Sequence, residues 1–308
     1  MILILSNEYD TSTTLVIDWL NAKNKKWIRV NGNELVKVSF IGDDINFVLE
    51  TEEFKLSELT GYWYRRGSLN ISCDGLNVND AFAGFRRVEI SKILEFIHFS
   101  LNKLKSINGI ENSDLNKLIV TDIARQLKIL TPLDFIYSSK KELEKKLNSN
   151  LKYISKSISG DSMFELNNYI LFNYSSIVDL KLINSDFFFP SLIQNYIEKK
   201  FELRVFYFKM KFYSMAIFSQ KDNMTNVDFR NYNKENPNRC VPYKLPLKVE
   251  KKIIKLMNVL NLDCGSIDLI LTPKNEYVFL EVNPIGQFGM VSYPCNYNLE
   301  KLIADYYD

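Results

Sequence analysis

The sequence predicts a mixed α/β and α+β fold in three parts, residues 1–88, 89–190 and 191–308. Three observations carry this expectation. The chain opens strand, helix, strand; its middle alternates short helices with short strands; and near its C-terminus two period-2 runs flank a turn. With 308 residues, 46% hydrophobic and 25% charged, it is long enough to bury a large core and to divide into two or three subdomains.

Met1 to Leu5 reads as a first strand, the segment around Leu15, Val16, Trp19 and Leu20 as an amphipathic helix, and Trp27 to Val30 as a second strand. A third strand ends in Tyr62-Trp63-Tyr64-Arg65-Arg66-Gly67, whose arginine pair suits either an anionic ligand or a solvated edge. No GxGxxG follows the first strand, so a dinucleotide site there has no support. Residues 89–106 and Leu115 to Leu127 read as helices, the second stopping before Thr131-Pro132. A helix over Lys140 to Leu147 leads to strands at Tyr153 to Lys156 and Tyr169 to Phe172, joined by the polar turn Ser157 to Asp161. After Pro190, Leu192 to Ile197 is expected as a connector into a long strand, Phe201 to Phe208, with Lys209-Met210-Lys211 turning it into a partner over Phe212 to Gln220. Lys221 to Pro246 is rich in Asn, Asp and Pro and reads as a long functional loop. Val249, Ile253, Leu256, Met257 and Leu260 then mark a core-facing helix.

The last two strands hold the most chemistry. Alternation over Ile267 to Leu271 and Tyr277 to Val282 brackets the turn Thr272 to Glu276. Side chains two apart share a face, so Glu281 and Asn283 point the same way, with Asp268 roughly opposite on the partner strand. Two carboxylates and an amide oxygen, with no His or Cys nearby, form a hard-oxygen set suited to Mg2+ held together with phosphate oxygens, the magnesium end of an ATP site. Charges that interrupt apolar runs are costly to bury without such a use.

Composition removes several function classes. A net charge of +2 gives no electrostatic argument for nucleic acid or an anionic membrane surface. No apolar run approaches a membrane span, and the start has neither a basic n-region nor a small-residue cleavage site, so a cytoplasmic protein is expected. Cys73, Cys240, Cys264 and Cys295 show neither CxxC nor zinc-like spacing and read as reduced thiols. The single histidine, His98, sits in a helical run with Ile90, Ile93, Leu94, Ile97 and Leu101 and reads as structural, leaving no Ser-His-Asp triad and no multi-His metal site.

The order of these features resembles an ATP-grasp ligase over nearly the whole chain. Asn116-Lys117, Lys156 to Gly160, Gln194 to Ile197, Glu202-x-Arg204, Asp228-x-Arg230, Asp268 and Glu281-x-Asn283 occur in the family's order. More narrowly, Tyr62-Trp63-Tyr64-Arg65-Arg66, Asn236-Pro237-Asn238-Arg239 with Val241-Pro242-Tyr243, and Phe279 to Asn283 continuing to Gly286-Gln287-Phe288-Gly289 resemble the peptide maturases of graspetide and grasp-with-spasm systems. The resemblance implies an ATP-grasp fold with a pre-ATP-grasp α/β domain (1–88), a central domain with an ATP-covering subdomain (89–190) and a C-terminal ATP-grasp domain (191–308).

It also implies roles. Lys117 and Lys156 would contact ATP phosphates or the adenine edge, and the loop to Gly160 would hold phosphate. The backbone around Gln194, Tyr196 and Ile197 would form the adenine hinge, with Asn195 departing from the acidic residue of many relatives. Glu202 would accept from the ribose hydroxyls, Arg204 would aim at the phosphates, and Arg230 would stabilise an acyl phosphate. Asp268, Glu281 and Asn283 would hold Mg2+. Such chemistry positions phosphates and neutralises charge, so it needs no histidine. The implied partner is a ribosomal precursor peptide, its leader held near the aromatic hairpin 205–218 with a neighbouring helix, and a homodimer is one assembly the resemblance allows. Two other readings stand beside the macrocyclase: a ligase for small amino acids or a protein terminus, glutathione-synthetase-like or RimK-like, and a nucleotide-binding protein without catalysis. The presence of all three metal ligands and both arginines disfavours the last.

Overall fold

A computed structural model describes residues 1–72, 82–148, 150–159, 163–166, 169–172, 174–220 and 237–308. Cys73, Gly160, Asp228 and Arg230, and residues 221–236 of the expected long loop, lie outside them. The chain divides into two compact units, 1–114 with 284–308, and 115–283.

In the first unit, β1 (Ile2–Ser6), α1 (Thr11–Ala22) and β2 (Trp27–Asn31) form the expected opening. Asp10 caps α1 by accepting from the N–H groups of Ser12 and Thr13 at 3.0 and 3.4 Å. Next come β3 (Leu35–Ile41), β4 (Asp44–Val48), β5 (Glu53–Lys55), β6 (Gly61–Tyr64), β7 (Asn70–Ile71), α2 (Ala83–Leu101) and β8 (Lys105–Ile107). A parallel sheet in the order β2-β1-β6-β8 lies beside a sheet in the order β5-β4-β3-β7. They share a core of Leu3, Leu5, Val30, Phe47, Tyr62, Ile97 and Leu101. The helix expected over 89–106 starts earlier and ends at Leu101, because Lys105–Ile107 pairs with Gly61–Trp63. The same pairing ties the segment after residue 88 to the first unit, so a boundary at 88 is not where the units part. His98 is buried and its Nδ1 lies 3.2 Å from the Tyr62 hydroxyl, with burial lowering its pKa, which fits the structural role expected for it.

The second unit contains α3 (Lys117–Gln126), β9 (Asp134–Ser139), α4 (Lys140–Lys146), β10 (Tyr153–Lys156), β11 (Met163–Leu166), β12 (Tyr169–Phe172), β13 (Ser176–Ile177) and β14 (Phe187–Asn195). It continues with β15 (Phe201–Phe208), β16 (Lys211–Phe218), β17 (Arg239–Tyr243), α5 (Leu247–Val259), β18 (Cys264–Leu271) and β19 (Tyr277–Asn283). An antiparallel sheet β13-β10-β14-β9 and a five-stranded antiparallel sheet β17-β16-β15-β18-β19 are its main layers.

Two expectations change here. Leu192 to Asn195 is the end of strand β14 rather than a connector; Pro190 is tolerated where the register shifts between Phe187 and Ser191. Part of the expected loop, Arg239–Tyr243, is a strand, and its Pro242 fits because β17 is the sheet edge.

Alternation along the five-stranded sheet gives it two unlike faces. Leu203, Val205, Tyr207, Ile267, Leu269, Phe279 and Val282 pack against Val120 and Ala124 of α3 and Ile253, Leu256 and Met257 of α5. The opposite face carries Glu202, Arg204, Asp268 and Glu281. Burying those apolar side chains at roughly 1.5–3 kcal/mol each anchors the strands whose other face holds charge.

The chain ends in the first unit with α6 (Gly289–Cys295) and α7 (Leu299–Tyr306), where the Tyr307 hydroxyl donates to the Tyr62 carbonyl at 2.8 Å. Gly61 is required beneath it, since a Cβ there would sit 2.8 Å from the Tyr307 ring. Among the described residues no helix is long and apolar enough to cross a membrane, and Cys240, Cys264 and Cys295 are free.

Candidate functional site

Strand register assembles a cleft on the charged face of the five-stranded sheet. Arg204 of β15 pairs with Asp268 of β18, which pairs with Glu281 of β19, and a bulge follows between Asp268 and Leu269. Directly opposed residues of antiparallel strands share a face, so three charged side chains stand in a row across three strands, with Asn283 two residues beyond Glu281 on that face and Glu202 two residues before Arg204.

Each carboxylate meets cations. The Arg204 Nη1 donates to Asp268 Oδ2 at 2.6 Å with both side chains buried. Lys156, at the end of β10, reaches Glu281 Oε2 at 2.6 Å, and Lys117, at the start of α3, reaches the same oxygen at 3.1 Å. Asn116 positions Lys117 by capping α3, accepting from the N–H groups of Leu118 and Ile119 at 2.9 and 3.4 Å. Lys117 also donates to the Ser157 carbonyl at 3.4 Å, so α3, the turn after β10 and β19 meet at one cation.

Burial holds the Asp268 carboxyl above its ordinary range against the pull of Arg204, and the neighbouring Glu281 charge adds to the rise. Its Oδ1 is buried with no hydrogen-bond partner among the described residues. An orphan carboxylate oxygen is expensive unless a ligand meets it, so this atom fits a hard cation. The described residues contain no cluster of three His, Cys, Asp or Glu, so Mg2+ here would draw on two carboxylates, the Asn283 amide and phosphate oxygens.

The same cleft has apolar as well as charged walls. Lys156, Gln194, Tyr196, Ile197, Glu202, Asp268 and Glu281 all line it, with Ile154, Ile270 and Leu280 as apolar walls and Pro132 at its margin. The three residues expected to form an adenine hinge, Gln194, Tyr196 and Ile197, differ in what their main chain already pairs with. Gln194 is paired with Ile154 on one side and Asp134 on the other, and the Tyr196 N–H donates to the Lys152 carbonyl at 2.8 Å. Among the described residues the main-chain N–H and C=O of Ile197 have no protein partner, which leaves this residue to meet a polar ring edge. The Asn195 amide oxygen is committed to the Leu133 N–H at 2.6 Å.

Glu202 is buried and bonded to Lys199, and the Ser219 hydroxyl donates to it at 3.1 Å. Sequence reading missed Lys199, because Glu198-Lys199-Lys200 reads as a solvated run; the signal available was its spacing three residues from Glu202. Burial pushes the Glu202 carboxyl up to about 7, with Lys199 opposing the rise. A ligand hydroxyl that needs the carboxylate as acceptor should therefore bind less well in acid. Were ATP the ligand whose hydroxyls Glu202 accepts from, as the resemblance implies, its affinity would fall below pH about 7, approaching about tenfold per pH unit well below it, and Glu202→Gln would flatten that dependence in a calorimetric titration. The same shift has a stability sign. With the folded value raised from 4.5 to about 7, the folded state holds the extra proton and Glu202 costs stability as pH rises through that window.

Two sequence expectations lie elsewhere. Arg65 is buried rather than on a solvated edge: its Nε is 3.1 Å from Asp10, it donates to the Ile285 and Gly286 carbonyls at 2.5 and 3.2 Å, and it lies over the Phe288 ring. Arg66 adds a contact with Asp10 at 3.4 Å. The hairpin 205–218 does not offer the expected outward aromatic surface: Phe206, Tyr207 and Phe208 are buried, since β15 is the central strand of its sheet, and Met210, Lys211 and Phe218 are its exposed side chains.

No family model matches the chain, and no curated protein does. Solved structures do. The chain is similar to a Chryseobacterium gregarium RiPP-associated ATP-grasp ligase in complex with ADP and a leader and core peptide, at 22% identity and TM-score 0.82, covering 99% of this chain and 94% of that one. It is similar to macrocyclase MdnC of Microcystis aeruginosa MRC bound with precursor peptide MdnA, at 23% identity and TM-score 0.76, covering 99% and 98%. It is also similar to D-alanyl-alanine synthetase A of Vibrio cholerae, at 13% identity and TM-score 0.57, covering 99% and 96%. The fold is the ATP-grasp fold, as the motif order implied.

Proposed function

We propose that this chain is an ATP-dependent carboxylate ligase that activates Asp or Glu side chains of a ribosomal precursor peptide as acyl phosphates and closes ω-ester or ω-amide rings. The carrying observation is the one cleft that gathers Lys156, Ile197, Glu202, Asp268 and Glu281 with the apolar Ile154, Ile270 and Leu280, cations, carboxylates and apolar walls together as a nucleotide requires. The peptide substrate is favoured because the structures with TM-scores of 0.82 and 0.76 are bound to precursor peptides, whereas the amino-acid ligase stands at 0.57.

In this reading the adenine lies between Ile154, Ile270 and Leu280 and meets the main chain at Ile197, while Glu202 accepts from the ribose. Lys117 and Lys156 turn from Glu281 toward phosphate oxygens when nucleotide enters, each trading one anion for another. Asp268, Glu281 and Asn283 would hold Mg2+, which neutralises phosphate charge. Arg204 keeps Asp268 ionised and in place. Gly160 is assigned to the phosphate loop and Arg230 to the acyl phosphate.

The chemistry has two steps. A core carboxylate oxygen attacks the γ-phosphorus, giving acyl phosphate and ADP; a Thr or Ser hydroxyl or a Lys amine then attacks the acyl carbon and phosphate leaves. The site's work is charge neutralisation and alignment, which the lysines and Arg204 supply without an imidazole. The leader is assigned to the exposed part of hairpin 205–218, Met210, Lys211 and Phe218, and a neighbouring helix.

ATP turnover tests the substrate class. A precursor with intact core Asp and Glu should stimulate ADP release by about tenfold or more, and one with Asn and Gln in their place should not. Stimulation by free amino acids instead of the precursor would favour the small-molecule ligase.

A further inference from the structure

Two neighbouring strands of the first unit's parallel sheet send the chain in opposite directions. From the carboxyl end of β1 it passes through α1 to β2, and from that of β6 it passes through α2 to β8, while β1 and β6 lie side by side. The crevice at such a switch point is where open parallel sheets bind ligands. Here it is bordered by Asp10, ahead of α1, and by Arg65-Arg66, after β6, an arginine pair that the ATP cleft leaves unused.

A bulge aims the pair. The N–H groups of Arg65 and Arg66 both donate to the Leu5 carbonyl, at 2.9 and 3.1 Å, so two consecutive side chains that alternation would send to opposite faces both reach Asp10. Gly67 permits the turn that follows: its φ is +78°, and a Cβ on it would sit 2.5 Å from the Ser6 carbonyl oxygen. Asp10 is used on both sides. Its Oδ1 accepts from Ser12 and Thr13, and its Oδ2 lies 3.1 Å from Arg65 Nε and 3.4 Å from Arg66 Nε.

The two arginines then differ. Arg65 is buried and its Nη1 donates to the Ile285 and Gly286 carbonyls, which makes it a tie within the unit. Arg66 meets Asp10 through Nε alone, and its side chain is 34% exposed. Its Nη1–Nη2 edge is therefore held from behind by a buried carboxylate and presented outward.

We infer that Arg66 binds a carboxylate through that edge, in a two-bond fork, and that the carboxylate is an Asp or Glu side chain of the peptide substrate. The second half rests on the function proposed above; the anion site itself does not. Charge selects the ligand. Two guanidinium groups against the one carboxylate of Asp10 leave a single positive charge, which a carboxylate cancels and a phosphate dianion overshoots. Geometry agrees, since the planar fork matches the two oxygens of a carboxylate, whereas an ammonium offers only a point charge. Arg66 is thus a residue that selects acidic side chains, placed by the bulge, by Asp10 and by Gly67 rather than by its own flexibility.

The test uses the full chain and has two arms. In the first, arginine is labelled with nitrogen-15 and the Arg66 Nε–H signal is identified by its loss in Arg66→Lys. Sodium butyrate, the carboxylate of a Glu side chain on a short apolar stem, should shift that signal saturably, and sodium chloride at equal ionic strength should not. An unmoved signal, or a larger shift with inorganic phosphate than with butyrate, would overturn the carboxylate site. In the second arm, calorimetry should show Arg66→Met and Arg66→Lys each weakening the precursor peptide by about ten- to a hundredfold, the worth of a lost charged hydrogen-bonded pair. A precursor with Asn and Gln in place of its core Asp and Glu should bind wild type and both variants alike. Equal affinity of the acidic precursor for wild type and Arg66→Met would overturn the peptide assignment, while ring formation in that same wild type would leave the proposed function standing. A precursor that wild type never alters, beside an intact butyrate shift, would sink the function and keep the site.

Discussion

Glu281→Gln is expected to lower ATP-dependent product formation by about a thousandfold, the scale seen when a preorganised charge-stabilising group is lost. The carboxylate does two jobs in the cleft. In the proposed site it would supply a charged donor for the metal, and in the structure it is the anion for both Lys156 and Lys117 at 2.6 and 3.1 Å. The amide keeps the shape but loses the charge, leaving two cations to repel across a gap of low polarity. Stability should fall by about 1–3 kcal/mol, the usual cost of unpairing a partly buried group, so the fold survives and the kinetic loss is separable from it. Circular dichroism alongside ADP release makes the comparison, and wild-type turnover in a folded variant would refute the metal assignment.

Arg204→Met should damage stability more and activity as much. Its partner Asp268 is buried, and removing one member of a buried ion pair costs about 3–5 kcal/mol because the other charge stays uncompensated. Burial already raises the Asp268 pKa, and losing the guanidinium removes the charge that opposes the rise, which favours the protonated form, a poorer ligand for the metal assigned to it. The double variant Arg204→Met with Asp268→Asn separates these effects: it should regain much of the lost stability, since no lone charge remains, and none of the activity. Chemical denaturation and turnover on the three variants read the cycle. Restored turnover in the double variant would mean that Arg204 and Asp268 act only on the fold.

What the sequence made legible was local and periodic. Alternation marks β18 and β19 and puts Asp268 and Glu281 roughly opposite, although counting back from the turn would set Asp268 against Leu280 and the bulge beside Asp268 moves the register to Glu281; the 3.6-residue spacing of Ile253, Leu256, Met257 and Leu260 marks α5. The cleft-lining set Lys156, Gln194, Tyr196, Ile197 and Glu202 came from motif order, not geometry, and the fold brings it together from β10, β14, β15 and the link after β14. What stayed hidden depended on partners distant in sequence. Lys105–Ile107 continues a helical apolar pattern, yet parallel pairing with β6 makes it a strand. Pro190 and Pro242 read as breaks, yet a bulge and a sheet edge accommodate them. Arg65 reads as a free cation until Asp10, 55 residues away, is placed against it. Lys199 reads as linker charge until the fold buries it against Glu202. The aromatics of β15 offered no sign of which half would be covered, since a central strand buries both faces.

The central claim, that this cleft closes rings in a peptide, is tested most directly by mass spectrometry of the precursor peptide after incubation with the protein, ATP and Mg2+. Each ring formed removes one water, so the account predicts products lighter by about 18 Da per ring, with one ADP and one phosphate released for each. Those species should be absent when ATP is omitted or Glu281→Gln replaces the wild type. A precursor that keeps its full mass while free amino acids are joined at the expense of ATP would contradict the account and leave an ATP-grasp ligase of small molecules.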